Sequence, residues 1–442
     1  MMARLSLRQH LLETIRLAIP TALSRTGLML LTLVSVVLVG RYDATELAYQ
    51  AIGGAPLSAM LVTSIGLVLG TVVFTAQAFG ATQYERCGLV WRRTLPFAVL
   101  MGGLGILLAA FGETFLLLTG QSPDMARYGG EWLLIASLGL PGHLVFTVSV
   151  LFLEGVKRPL PGMVVMIAAN ILNLGLNLWL IPGGFGVPAG GAAGAAWAMT
   201  ITRWAMAVAI VAVILLWREG RTFGVYGTVF PPWREWQEQR RLGYASGLSN
   251  GVETASFAVL ALFAGLVSPT DLGAFAITLN VLACVFMAAV GIGGAGAVRI
   301  GALRGAGQRA DAVVAGWVAL GLNTAVMLAA GAVVVLTAPA VAGFYTRDAA
   351  VAAMAAWLLV IAAVAMPVDG GQSVLASLLR AFQDGWGPTV CHIVSYIVVM
   401  VPLAWLLAIQ WQRGAAGLFE AIVIASILAM GLLILRYRWL TR

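Results

Sequence analysis

Twelve segments, each long and apolar enough to cross a bilayer, follow one another along this chain with no long polar stretch between them. A span needs about 20 apolar residues to cover the ~30 Å hydrocarbon layer. Its backbone N–H and C=O groups must bond within the segment, so each is expected to be an α-helix. The windows lie near 17–40, 51–78, 93–119, 131–154, 160–182, 190–217, 243–267, 272–298, 312–338, 351–380, 388–409 and 415–436. The expected fold is therefore an all-α polytopic membrane protein. Composition agrees: 61% hydrophobic residues and only 10% charged ones cannot clothe a soluble domain.

The net charge of +8 would suggest nucleic acid in a soluble chain, but here the basic residues sort by loop. Twenty of the 26 fall in alternate connections, from Arg4, Arg8 and Arg16 through Arg86, Arg218 and Arg380 to Arg436, Arg438 and Arg442. The other connections hold only Arg41, Arg127, Arg347 and Arg413. By the positive-inside rule both termini are expected in the cytoplasm, which for a bacterial chain means the inner membrane. Met1–Ile19 lacks an apolar core and cleavage site, so the first span is expected to act as the targeting signal. The three cysteines, Cys87, Cys284 and Cys391, have no paired spacing and imply neither disulfide nor zinc.

The connection from Trp217 to Leu242, with Pro231-Pro232 and Trp233-Arg234-Glu235-Trp236, divides the spans into two sets of six. The expected organisation is an N-lobe over 1–216, a cytoplasmic linker over 217–242 and a C-lobe over 243–442. The linker's tryptophans suit the headgroup layer or an ordinary solvated loop. An internal repeat supports the division. At an offset of 225, Leu23-Ser24 matches Leu248-Ser249, Gly40 matches Gly265, Ala51-Ile52 matches Ala276-Ile277 and Gly80-Ala81 matches Gly305-Ala306; at 226, Pro141 matches Pro367. Six helices per repeat make the lobes parallel in the membrane, with a central cleft expected between them.

Against this apolar background the polar residues stand out. Glu253 lies roughly 15 Å along a helix beginning near Gly243, about half of the hydrocarbon thickness. Asp369 follows Pro367 and precedes Gly370-Gly371, a run expected to bend or unwind its helix. Intramembrane acids are costly and usually mark ion or substrate pathways, though each could be structural glue between helices. If the two approach within several ångströms, they either take up a proton or hold a cation such as Na+ between them. Asn280 and Gln372 could complete that site, line the cleft, or simply bond helix to helix. Asn170, Asn173 and Asn177 share one face of the fifth helix, as a pathway or a polar seam. Arg25 and Arg203 are the two basic residues inside spans, expected to snorkel or to pair with acids, and His143 occupies the repeat position of Asp369. No Walker loop, HExxH, paired CxxC or Gly-x-Ser-x-Gly occurs, so neither ATP nor enzyme chemistry is expected.

Several stretches together resemble the multidrug and toxic compound extrusion (MATE) transporters, in their NorM-type branch. They are Ala18-Ile19-Pro20, Val39-Gly40-Arg41, Ala76 to Ala81, Glu154-Gly155, Asn173 to Asn177, Gly191 to Ala196 and Gly247 to Glu253. The resemblance implies a twelve-helix, two-lobed antiporter that exports amphipathic, often cationic organic compounds against protons or sodium ions, with no cofactor beyond the transported ion. It places Glu253 and Asp369 at the ion-coupling carboxylates of the second lobe. The expected partners are small organic solutes and the lipid bilayer, with no nucleic acid and no obligate protein partner. Two departures are expected to make the first lobe less suited to a cation: Ser35 stands in place of that lobe's usual acid, and Arg25 in place of a neutral polar residue. A flippase for a lipid-linked sugar, or a non-transporting scaffold, could use the same architecture.

Overall fold

The computed structural model describes residues 6–184, 186–227 and 232–442; Arg4 and Pro231, used above, lie outside them. Among the described residues, twelve helices are long and apolar enough to span a membrane. They are α1 (Leu7–Tyr42), α2 (Ala44–Gly80), α3 (Tyr84–Ala109), α4 (Pro123–Gly155), α5 (Leu160–Leu180), α6 (Gly191–Leu215), α7 (Trp233–Val267), α8 (Pro269–Gly305), α9 (Arg309–Tyr345), α10 (Ala349–Ala381), α11 (Trp386–Gln410) and α12 (Gly414–Thr441). Their faces follow from helical periodicity. On α5, Val164, Ile167, Ile171, Leu174 and Leu178 recur every three or four residues and are exposed, while Asn173 and Asn177 on the opposite face are buried. The first face suits lipid.

The chain forms two compact units, Leu23–Gly247 and Met1–Ala22 together with Leu248–Arg442. Both dividing points fall inside helices, within α1 and within α7, rather than in the linker. In the linker, Trp233 is half exposed and Trp236 is buried, and the Arg240 guanidinium lies 3.8 and 4.7 Å from their respective ring centroids, a basic–aromatic stack.

The repeat seen in the sequence recurs in side-chain chemistry. In the first half, the Glu46 carboxylate at the start of α2 accepts from the Ala192 N–H at the start of α6, 2.6 Å away. In the second half, Asp271 at the start of α8 accepts from the Ala415 N–H at the start of α12, 2.7 Å away. Each acid satisfies a helix N-terminus that would otherwise leave donors unpaired. The residue before each donor is a glycine in the left-handed region, Gly191 at φ 49° and Gly414 at φ 59°. A Cβ at either would lie within about 2.5 Å of the capping carboxylate, so glycine is required twice for the same reason.

Within the first unit described, α2 and α7 meet through glycines four residues apart on each helix. A Cβ on Gly66 would come within 2.6 Å of the Gly247 Cα, and one on Gly243 within 2.1 Å of the Leu67 carbonyl oxygen. Such small-residue seams let backbones pack closely in lipid, where burial of apolar surface drives nothing. Gly243→Val should therefore lower stability by about 1–3 kcal/mol, the usual cost of overpacking against backbone that cannot move aside. A thermal-unfolding midpoint in detergent checks it, with Gly321→Val, which meets nothing within 4 Å, as control.

Proline acts unevenly. The run around Pro367 was expected to bend or unwind its helix; α10 is not unwound and runs from Ala349 to Ala381. The carbonyl that proline leaves without its helical donor belongs to Ala363, and it faces Gly331 of α9, where a Cβ would lie 3.1 Å away. In α11 the ladder shifts to π-helical pairing over Ile393–Met400, just before Pro402 removes a further donor. Tyr396 sits in that widened turn.

Candidate functional site

Four helices of the second half bring a set of polar side chains into one buried cluster. α7 supplies Ser249 and Glu253, one turn apart on the same face. α10 supplies Asp369, Gln372 and Arg380, α11 supplies His392 and Tyr396, and α12 supplies Ser426. Asp369 is 5% exposed, and its Oδ1 accepts from Gln372 Nε2 at 3.5 Å and from Ser426 Oγ at 3.3 Å. Both bonds are long, so the carboxylate is held loosely. Gln372 is also the side-chain partner of Glu253, which feels the charges of both Asp369 and Arg380. The two acids therefore share a single amide between them. The buried Tyr396 hydroxyl lies in the field of both acids and beside Ser426, while Gln372 Oε1 and, on α9, both polar atoms of Asn323 are buried without a hydrogen-bond partner. Asn323 lies against Gly370, the residue after Asp369.

Buried polar atoms without partners are rare in folded proteins and point to something that comes and goes. Two carboxylates with neutral oxygens around them suit a proton or a hard monovalent cation. Among the described residues no group of three or more His, Cys, Asp or Glu comes together, so a metal ion here would draw largely on neutral oxygens.

One turn below Glu253, Ser249 accepts from Arg380 Nη2 at 3.0 Å and pairs with His392 Nδ1 at 2.7 Å. Arg380 was counted above among the loop cations. It is instead 8% exposed inside α10 and supplies the positive charge nearest Glu253. Asn280 is not part of the cluster: it lies on the exposed face of α8, and its Oδ1 accepts from Tyr345 at 3.2 Å.

The first half holds a different arrangement. Ser35 donates to Asn177 Oδ1 at 3.1 Å, Asn177 donates to Asn173 Oδ1 at 3.0 Å, and Asn173 donates to Thr202 at 3.4 Å. This chain of neutral groups links α1, α5 and α6 and carries no charge. Arg25 was expected to snorkel or to pair with an acid, and it pairs: its Nη2 lies 3.4 Å from both oxygens of Glu154, which is 3% exposed. Glu154 lies in the last turn of α4. The pair is neutral as a whole. Arg203 neither snorkels nor finds an acid: it donates from Nη1 to the Ala136 carbonyl at 3.0 Å, where α4 is interrupted before Pro141.

Comparison with known proteins accords with this architecture. The MatE family profile matches residues 20–179 and 245–406, once in each half of the chain. The probable multidrug resistance protein NorM of Caulobacter vibrioides is 39% identical over 97% of this chain and 92% of its own length. That of Rhodopseudomonas palustris is 31% identical over 98% and 93%. Among solved structures, a eukaryotic MATE transporter superposes with a TM-score of 0.90 at 20% identity, covering 99% of this chain and 98% of its own. A multidrug resistance MATE transporter in an outward-facing conformation gives 0.89 at 18% identity, over 99% and 96%. Those two show the fold; the family match over both halves and the relatives' identity over nearly the full length show the kinship. With twelve spanning helices among the described residues, in two repeated halves, and a carboxylate pair within the spans of the second, this chain belongs to the MATE transporter family, in its NorM-type branch.

Proposed function

We propose that the protein is a secondary active multidrug exporter of the bacterial inner membrane, with both termini in the cytoplasm, antiporting amphipathic organic compounds, cationic ones among them, against protons or sodium ions. The observation that carries the reading is the pair Glu253 and Asp369, joined through Gln372 and bordered by unpartnered oxygens. A charge in such a site favours whichever conformation lets a proton or cation compensate it, and an ion with different affinity for two states shifts their balance. Alternating access between two six-helix lobes would convert that shift into export. The relatives named as multidrug resistance proteins support the cargo class.

The test is efflux of a fluorescent cationic dye from proteoliposomes under an imposed pH gradient, and separately under a sodium gradient, with Glu253→Gln as control. Efflux driven by one gradient and lost in the variant is expected, and it identifies the ion. Equal efflux with and without Glu253 would remove the carboxylates from the mechanism.

A further inference from the structure

The repeat carries Glu253, Asp369 and the two residues that bond Asp369 onto counterparts in the first half, and the charge there is inverted. At an offset of 225, Glu253 corresponds to Leu28; at 226, Asp369 corresponds to His143 and Gln372 to Phe146. At 223, the offset that sets the capped Gly414-Ala415 on Gly191-Ala192, Ser426 corresponds to Arg203. Where one half has two carboxylates and a hydroxyl, the other has leucine, histidine and arginine.

Arg203 is the thirteenth of the 25 residues of α6, so it sits at mid-span, and it is 6% exposed. A guanidinium does not lose its proton, so its charge must be met by something. Arg25 pairs with Glu154 and Arg380 lies in the field of Glu253, but among the described residues no ion pair involves Arg203. Its bond to Ala136 does not explain the charge. The neighbouring carbonyls at the same interruption of α4, Ile135 and Leu138, are served by neutral donors, Thr200 Oγ1 at 2.7 Å and Trp204 Nε1 at 3.0 Å. Arg203 packs against Gly139, where a Cβ would lie 2.9 Å from its Cδ, and His143 follows one turn later on the same face of α4. His143 is 4% exposed, its Nε2 has no partner, and Arg203 and Arg25 are the charges that act on it.

We propose that Arg203 and His143 form an anion subsite in the first half of the protein, which takes the carboxylate of an amphipathic organic solute. The planar fork of arginine matches a carboxylate, and the open Nε2 of His143 offers a further polar contact. This rests on the reading of the chain as an exporter of organic solutes, and it names the residues of the first half that would hold the acidic group of such a solute.

The full-length protein, purified in detergent, is titrated with dansylglycine and with dansylglycinamide, which differ only in the carboxylate, and dansyl fluorescence reports binding. The acid should bind at least about tenfold more tightly than the amide, equivalent to about 1.4 kcal/mol. Arg203→Gln, which keeps an N–H for the Ala136 carbonyl, should erase that preference, and Arg203→Lys should retain part of it. Equal binding of acid and amide to the wild type overturns the proposal, as does a preference that survives in Arg203→Gln. Should that variant not fold, His143→Gln replaces it, and an unchanged preference there is equally fatal. The assay uses no membrane and no gradient, so its failure leaves the ion-coupled reading untouched, and failure of gradient-driven efflux leaves the subsite standing.

Discussion

Asp369→Asn is expected to reduce gradient-driven efflux at least about tenfold while leaving the protein folded and able to bind cargo in detergent. The substitution keeps the shape of the side chain and the Oδ1 acceptor that Gln372 and Ser426 reach. What disappears is the charge. If a proton or cation biases the two conformations by binding here, the bias is its differential affinity for them, and each 1.4 kcal/mol of that difference is a factor of ten in population. An asparagine gives the ion almost nothing to distinguish, so the gradient loses its grip on the conformational equilibrium. Glu253→Gln should act in the same direction, and the double variant should be little worse than either single one, because two acids sharing Gln372 act as a unit. The measurement is the initial rate of dye efflux from proteoliposomes, with the unfolding midpoint recorded alongside. Wild-type rates in both single variants would mean that coupling runs elsewhere.

Much of this was legible in the sequence because the membrane reduces folding to a few strong constraints. Long apolar windows can only be helices, so the twelve spans follow from hydropathy, and an acid in such a window announces itself, as Glu253 and Asp369 do. The rest of the site was not legible, for identifiable reasons. Ser249, Asn323, Tyr396 and Ser426 are ordinary residues in apolar helices, and only packing brings their polar atoms to one place. Arg380, counted with the loop cations, and Glu154 lie in the last turns of α10 and α4, at the very ends of their apolar windows, and only packing shows which groups they face. Asn280 was grouped with the carboxylates on residue type alone. Helical phase excludes it: the buried positions of α8 near its start are Asp271, Ala274, Phe275, Thr278 and Leu282, and residue 280 falls on the opposite face. One signal in the sequence could have found more. Extending the repeat to the sixth helix of each half sets Arg203 against Ser426 and exposes the inversion of charge.

Arg25 and Glu154 provide the sharpest test of whether buried charges in the first half are structural. Removing either partner strands the other in a low-dielectric interior, which costs about 3–5 kcal/mol, whereas replacing both with apolar residues of similar size is often neutral. Arg25→Met and Glu154→Met should therefore each lower the unfolding midpoint steeply in detergent, and the double variant should recover most of the loss. The prediction depends on how buried both groups are: their side chains are 13% and 4% exposed, so water cannot take the place of the missing partner. Losses that simply add would mean that each group has independent partners and that the 3.4 Å approach contributes little. Recovery in the double variant, with dye efflux intact, would separate this neutral pair from the charges that bind ions or cargo. It would also leave Arg203 as the mid-span cation of that half whose charge no acid among the described residues meets.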